Sequence, residues 1–272
     1  MDSGKIGFLG GGHMAEGIIK GLLAENVVKA NDIIVKEILP ERAVYLKDTF
    51  HITIADDYKE LADATELIVL AVRPQDAEKV GLELSSYIRE NSILVSICAG
   101  IEMKKLAGWI GEKIRYARIM PNTLIDAKQG YSALAYAEHF GNADREAVEK
   151  ITNAIGDTLV IKEEQFDAFT ALSCAGPAWI ILYANALIDA GVEAGLSRAD
   201  SKHIVTKNLI GTGLILEKNA KHPNEILDDM NTPGGITIAG LHSFAKAGLH
   251  GITMDGVLAA WKRSQELGKE NA

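Results

Sequence analysis

The amino-acid sequence predicts an α/β fold: a doubly wound parallel sheet over residues 1–162, followed by an all-α domain over 163–272. Three observations carry that expectation. Short β-branched runs alternate with amphipathic segments as far as Lys162, a glycine-rich turn follows the first of those runs, and after Glu163 strand signals give way to long helical patterns through Lys269. Alternating β and α patterns build a parallel sheet with helices on both faces, and a change to helix alone marks a second domain.

The strand-like runs are "KIGFLG" from Lys5, "DIIVKEI" from Asp32, "ELIVLAVR" from Glu66, "SILVSICAG" from Ser92, "RYARIMPN" from Arg115 and "DTLVIK" from Asp157. Each is a continuous apolar run, the pattern of a parallel strand buried on both faces. In the second half, "GPAWIILYANALIDAGVEAGL" keeps only Asn185, Asp189 and Glu193 strongly polar, so a single narrow stripe faces water. A helical domain of about 110 residues has too much surface for its volume to enclose such a helix alone, so a second subunit is expected to cover it. The next helix opens at Ser197, a plausible N-cap, with Asp200 in its first turn.

Composition narrows the function classes. A net charge of −9, from 37 acidic and 28 basic residues with no Lys/Arg cluster, disfavours a nucleic-acid partner. Cys98 and Cys174 lack Cys-x-x-Cys or Cys/His spacing and read as buried free thiols, which fits a reducing compartment. His51, His139, His203, His222 and His250 are scattered without ligand spacing, so no metal is expected. The opening "MDSGKIGFLGGG" has no basic segment leading into a cleavable apolar run, and a cytoplasmic location is expected. Residues 168–188 carry no charge, long enough to raise a membrane span. Gly176-Pro177 and Asn185 interrupt the run and its flanks are Asp167 and Asp189, so a buried helix of a soluble protein is expected instead.

"IGFLGGGHMAEG" places Gly10-x-Gly12-x-x-Ala15 directly after a strand and at the start of a helical pattern. In a Rossmann-type domain the first Gly permits the tight turn, the second lets a pyrophosphate approach the backbone, and a small third residue lets helix and strand pack closely. The phosphates would rest on the helix N-terminus. Glu37, at the end of the second strand, is placed to accept hydrogen bonds from an adenosine ribose and to repel a 2′-phosphate, which leans toward NADH. Lys36 and Arg42 stand close enough to weaken that argument, and a surface carboxylate without a ligand is the alternative. Pro74, Gln75, Pro121 and Asn122 end two further strands and would face the nicotinamide half of a cofactor, or simply terminate those strands.

Together, "IGFLGGGHMAEGI", "LAVRPQ", "SICAGI", "RIMPNT", "ALSCAGPAW" and "HPNEILDDMNTPGGITIAGL" resemble the pyrroline-5-carboxylate reductases over nearly the whole chain. The resemblance implies an NADPH- or NADH-dependent reduction of 1-pyrroline-5-carboxylate to L-proline by a homodimer or higher homo-oligomer. It implies that Gly10, Gly12 and Ala15 hold the pyrophosphate and that Pro74 and Asn122 lie along the cofactor; Met14, Glu37, Val72, Ala99 and Gly100 are expected there too, and His13 either touches the phosphates or occupies the exposed part of the turn. By the same resemblance residues 232–235, with Thr232, Gly234 and Gly235, receive the substrate carboxylate, and Thr237 hydrogen-bonds the ring nitrogen as the catalytic residue. Physically, a Thr-Pro-Gly-Gly corner frees backbone N–H groups at a helix N-terminus, a carboxylate receptor that needs no cation.

The sequence departs from the family pattern at His13, Arg73, 173–177 and Asn231-Thr232, changes that bear on substrate fit and leave a related cyclic imine open. A β-hydroxyacid dehydrogenase would need a Lys to move the alcohol proton; Lys207 offers one superficially, but no glycine signature precedes it and a solvated helical Lys is the expected reading. A non-catalytic dinucleotide sensor is the rival of a different class.

Overall fold

A computed structural model describes residues 4–127, 129–138 and 140–270, so His139 lies outside the described residues. By contact density the chain forms two compact units, one running up to Cys174 and resuming from Ala260, the other Ala175–Ala259.

The first unit is built on one eight-stranded sheet of order β3-β2-β1-β4-β5-β6-β7-β8. The strands are β1 (Ile6–Leu9), β2 (Ile33–Lys36), β3 (Thr53–Ile54), β4 (Leu67–Leu70), β5 (Ile93–Ser96), β6 (Arg115–Pro121), β7 (Gly130–Tyr136) and β8 (Gly156–Val160). The helices are α1 (His13–Ala24), α2 (Pro40–Phe50), α3 (Tyr58–Ala64), α4 (Ala77–Ser85), α5 (Met103–Ile110), α6 (Asn142–Asn153) and α7 (Phe166–Phe169). Every strand pair is parallel except β6 with β7. Parallel neighbours need a helical crossover, whereas only a short turn, Thr123–Ala127, follows β6 before β7 runs back beside it. From β1 the chain winds outward through β2 and β3, then returns to β4 on the other side of β1. The reversal creates a crevice at the carboxyl ends of β1 and β4, where ligands of such sheets bind.

Both faces of the sheet are covered, which is why its strands read as unbroken apolar runs. Phe8, Ile19, Val35, Val69, Val95 and Val148 pack on one side, and Leu9, Ile34, Leu61, Leu70, Leu94 and Leu106 on the other. Two strands escaped the sequence reading. β3 is too short for a period to register, and β7, "GYSALAY", is rich in small residues, with Ala133 and Ala135 under Phe166 and Phe169. That packing also places residues 163–174 with the sheet.

The second unit holds α8 (Gly176–Glu193), α9 (Arg198–Lys218), α10 (Pro223–Asp229), α11 (Ile236–Lys246) and the first half of α12 (Leu249–Glu270). The expected cap is present: Ser197 Oγ accepts from the Asp200 N–H at 3.0 Å. A Cβ on Gly191 would fall 2.7 Å from Ser201 Oγ, so this glycine lets α8 and α9 approach closely. The expected burial of 168–188 is met within one chain only before α8, at Phe169 and Ala171. No residue of α8 is buried, and Ile181 and Leu182 are 68% and 69% exposed. The helical stretch Glu163–Glu193 reaches a mean hydropathy of 1.5 in its most apolar window, long and apolar enough on composition alone to cross a membrane.

Candidate functional site

The glycine loop after β1 is shaped by contacts that leave no room for side chains. Gly10 has φ +93, and a Cβ on it would lie 2.7 Å from Ala71 O. A Cβ on Gly11 would lie 2.3 Å from Leu46 Cδ1. Gly12 differs, because nothing lies within 4 Å of its Cβ position. It is the N-cap of α1, and no described side chain caps it. The first-turn N–H groups of Met14 and Ala15 have no intrahelical acceptors, by the geometry of any helix. An open glycine before uncapped amides at the positive end of a helix dipole fits a pyrophosphate. Ala15 is buried and supplies the small contact between α1 and the sheet.

The middle glycine is gripped from both sides. Glu37 Oε2 accepts the Gly11 N–H at 2.8 Å, and Glu37 Oε1 accepts those of Ile38 and Leu39 at 2.8 and 2.9 Å. Arg42 Nε donates to Gly11 O at 2.7 Å, and its NH2 group to Glu16 Oε2 at 2.5 Å. Tyr45 Oη donates to Glu16 Oε1 at 3.1 Å, and Lys20 pairs with the same oxygen at 2.7 Å. Burial would raise the Glu16 carboxyl, but hydrogen bonds from Lys20, Arg42 and Tyr45 outweigh it and hold the group at about 2. This network was not read from the sequence, since Glu16 and Arg42 meet only once α1 and α2 are packed.

The remaining candidates line up after successive strands: Glu37 after β2, Val72 and Pro74 after β4, Ala99 and Gly100 after β5, Asn122 after β6. The topology thus gathers them along one edge of the sheet. Asn122 is turned inward. Its Oδ1 accepts the N–H groups of Leu124 and Tyr131 at 3.1 and 3.2 Å, and its Nδ2 donates to Ser173 Oγ at 3.3 Å. Cys98 is buried below the edge, its thiol donating to Val72 O at 3.2 Å, and burial pushes that thiol up to about 11.

In the second unit, residues 232–235 link α10 to α11. Gly234 has φ +70, a conformation that favours glycine. A Cβ on Gly235 would lie 2.3 Å from Thr232 Oγ1, and the Gly235 N–H donates to Thr232 O at 2.9 Å. One of the amides expected to be free therefore closes the turn. The N–H groups of Ile236 and Thr237, in the uncapped first turn of α11, keep the character of an anion receptor. A cavity of about 550 Å³ is lined by Gly234, Gly235, Ile238, Ala239 and His242 among others, whereas Thr232 and Thr237 are not part of its lining. His242 is exposed there. Lys207 is exposed on α9.

Residues 163–267 match the family model for pyrroline-5-carboxylate reductase dimerisation, and residues 5–100 match a model described as NADP oxidoreductase, coenzyme F420-dependent. A pyrroline-5-carboxylate reductase of Arabidopsis thaliana is 36% identical, covering 98% of this chain and 96% of its own length. The chain belongs to the pyrroline-5-carboxylate reductase family. The family's enzyme from Synechocystis sp. is 35% identical over 98% of this chain and 99% of its own. Among solved structures, the Plasmodium falciparum pyrroline carboxylate reductase with NADP bound is 31% identical at a TM-score of 0.87, covering 97% of this chain and 98% of that one. The Coxiella burnetii enzyme reaches 0.90 at 26% identity with the same coverage.

In the segment 173–177 that departs from the family pattern, Ser173 and Cys174 have a local role. They lie in a π-helical turn, Thr170–Cys174, where Ser173 Oγ holds Asn122 and the Cys174 thiol donates to Pro121 O at 3.7 Å. Such turns often mark functional sites, and this one fixes the strand end expected to border the nicotinamide. Arg73 is exposed and pairs locally with Asp76 at 2.8 Å.

Proposed function

We propose that this chain reduces 1-pyrroline-5-carboxylate to L-proline with a nicotinamide dinucleotide, working as a homodimer or larger homo-oligomer in the cytoplasm. The observation that carries the reading is that one chain holds both an open glycine cradle at the start of α1 and a Thr-Pro-Gly-Gly-x-Thr corner at the start of α11.

The proposed roles draw on the family resemblance, with support from the open space beside Gly12 and the uncapped first turn of α11. Gly10, Gly12 and Ala15, with the amide of Met14, hold the pyrophosphate, and Val72, Pro74, Ala99, Gly100 and Asn122 shape the edge along the rest of the cofactor. A reduced nicotinamide bound there supplies the hydride. Thr232, Gly234 and Gly235 shape the corner that receives the substrate carboxylate, with the first-turn amides of α11 as donors. Thr237 hydrogen-bonds the ring nitrogen. A protonated imine is already electrophilic, so a hydroxyl that orients it is sufficient and a strong general acid is unnecessary.

Either cofactor is accommodated, with NADH favoured. What supports this is the state of the two nearby cations: Arg42 is committed to Glu16 and Gly11 O, and Lys36 Nζ donates to Asp56 O at 2.6 Å. Neither is poised to pair with a 2′-phosphate, and the Glu37 carboxylate repels one.

The test is loss of reduced-nicotinamide absorbance with purified protein and pyrroline-5-carboxylate, run with NADH and NADPH in parallel and with proline detected as product. Cofactor binding without turnover would point to another cyclic imine or to a dinucleotide sensor.

A further inference from the structure

The last turn of α12 returns to the first unit and rests on the loop that follows β5. Gly100, in that loop, has φ +72, and a Cβ on it would fall 3.1 Å from Gly268 Cα and 3.3 Å from Gly268 N. The two backbones therefore touch with no side chain between them. Lys105, in the first turn of α5, donates from Nζ to Gly268 O at 3.1 Å. The final carbonyls of a helix lack intrahelical donors, and a cation is the favourable partner at that end of the dipole. Here the cation comes from the helix that the loop leads into.

Three further hydrogen bonds fasten the same corner. Ser264 Oγ donates to Asp167 Oδ1 at 2.7 Å, tying α12 to the segment beneath the sheet edge. Glu163 Oε1 accepts the Met103 N–H at 2.8 Å and Arg118 NH1 at 2.7 Å. Behind the loop is a hollow of about 480 Å³, bordered by Gly100, Lys105, Arg118, Glu163 and Gly268. Cys98 and Ile101 seat the loop in the core, and between them Gly100 leans on the Gly268 backbone that Lys105 tethers across that hollow.

We propose that Lys105 and Gly268 are positioning residues for the dinucleotide: the C-terminal turn of α12 props the 97–101 loop in the form that borders the cofactor. The proposal rests on the reading that Ala99 and Gly100 line the cofactor site. Neither Lys105 nor Gly268 needs to touch the ligand, and their effect is on cofactor affinity rather than on the chemical step.

The experiment is calorimetric titration of the full chain with NADH, for wild type and for Lys105→Met, Lys105→Arg and Gly268→Leu, beside steady-state kinetics. Lys105→Met is expected to weaken NADH binding about five-fold, the worth of one modest hydrogen bond. Lys105→Arg, which keeps a donor, restores it. Gly268→Leu sets its Cβ in ordinary contact with Gly100, 3.7 Å from its O, and adds branches beyond it at the backbone seam, so it is expected to weaken binding as well. The rate at saturating cofactor and the KM for pyrroline-5-carboxylate should stay at wild-type values in all three. Unchanged NADH affinity in Lys105→Met or in Gly268→Leu, or a failure of Lys105→Arg to restore it, overturns the proposal while leaving the reductase reading intact. Wild-type protein that binds neither NADH nor NADPH overturns both.

Discussion

Arg42 and Glu16 meet at 2.5 Å across the start of the dinucleotide helix, and the same guanidinium holds Gly11 O. Glu16 is held at about 2 against its ordinary 4.5 and is nearly buried, so its pairing is linked to folding. A carboxylate whose folded pKa is depressed contributes stability that is fully present above its unfolded value and is lost as pH falls through the folded one. Unfolding free energy should therefore fall between about pH 4.5 and pH 2 by an amount on the order of 2 kcal/mol attributable to this group. Urea titrations of wild type and Glu16→Gln across that window check it: the variant should be less stable at neutral pH and show a flatter acid limb. Parallel limbs would remove Glu16 as the cause.

Glu37 accepts N–H groups from both Gly11 and the turn into α2. Glu37→Ala strands the Gly11 N–H, while the exposed N–H groups of Ile38 and Leu39 turn to water, which should lower stability by about 1 kcal/mol. It should also relax cofactor choice toward NADPH, because the charge that opposes a 2′-phosphate is gone. The ratio of kcat/KM for NADPH over NADH reads the second effect separately from the melting temperature, which reads the first. A ratio that does not move would show that Glu37 only shapes the loop.

Thr237 stands in the first turn of α11, beside the Gly234-Gly235 corner. Thr237→Ala should lower kcat roughly 100-fold, the scale seen when one oriented donor is removed from a reacting centre. The NADH dissociation constant should be unchanged, and Thr237→Ser should recover most of the activity. Wild-type turnover by the alanine variant would end its assignment.

Ile181 and Leu182 present apolar surface on α8 within the segment matched by the dimerisation model. Placing a charge there, as in Ile181→Glu, would desolvate it in any subunit interface. Light scattering should then report a smaller species than wild type, with reduced melting temperature. A variant that keeps the wild-type mass would place the interface elsewhere on the unit.

What could be read in advance was whatever local chemistry imposes. Gly10 and Gly234 have positive φ and Gly11 has no room for a Cβ, so those positions advertise themselves as glycine. The Ser197 cap and the buried parallel strands write equally plain patterns. Contacts between distant segments leave no such trace: Lys105 reaches Gly268 across 163 positions, and Glu16 reaches Arg42 across 26. Nothing in the neighbours of either residue announces its partner. β7 was hidden for a related reason, because its small side chains are chosen by Phe166 and Phe169 lying over them rather than by strand propensity. The inward turn of Asn122 depends on Ser173, which belongs to a helical turn far along the chain.

With its N–H held by Glu37 and its C=O held by Arg42, Gly11 is already fixed before any dinucleotide arrives. A receptor loop in its final shape charges its guest little ordering entropy, so capture should proceed in a single kinetic phase whose rate scales with ligand concentration, without the slower second phase that reports rearrangement after encounter.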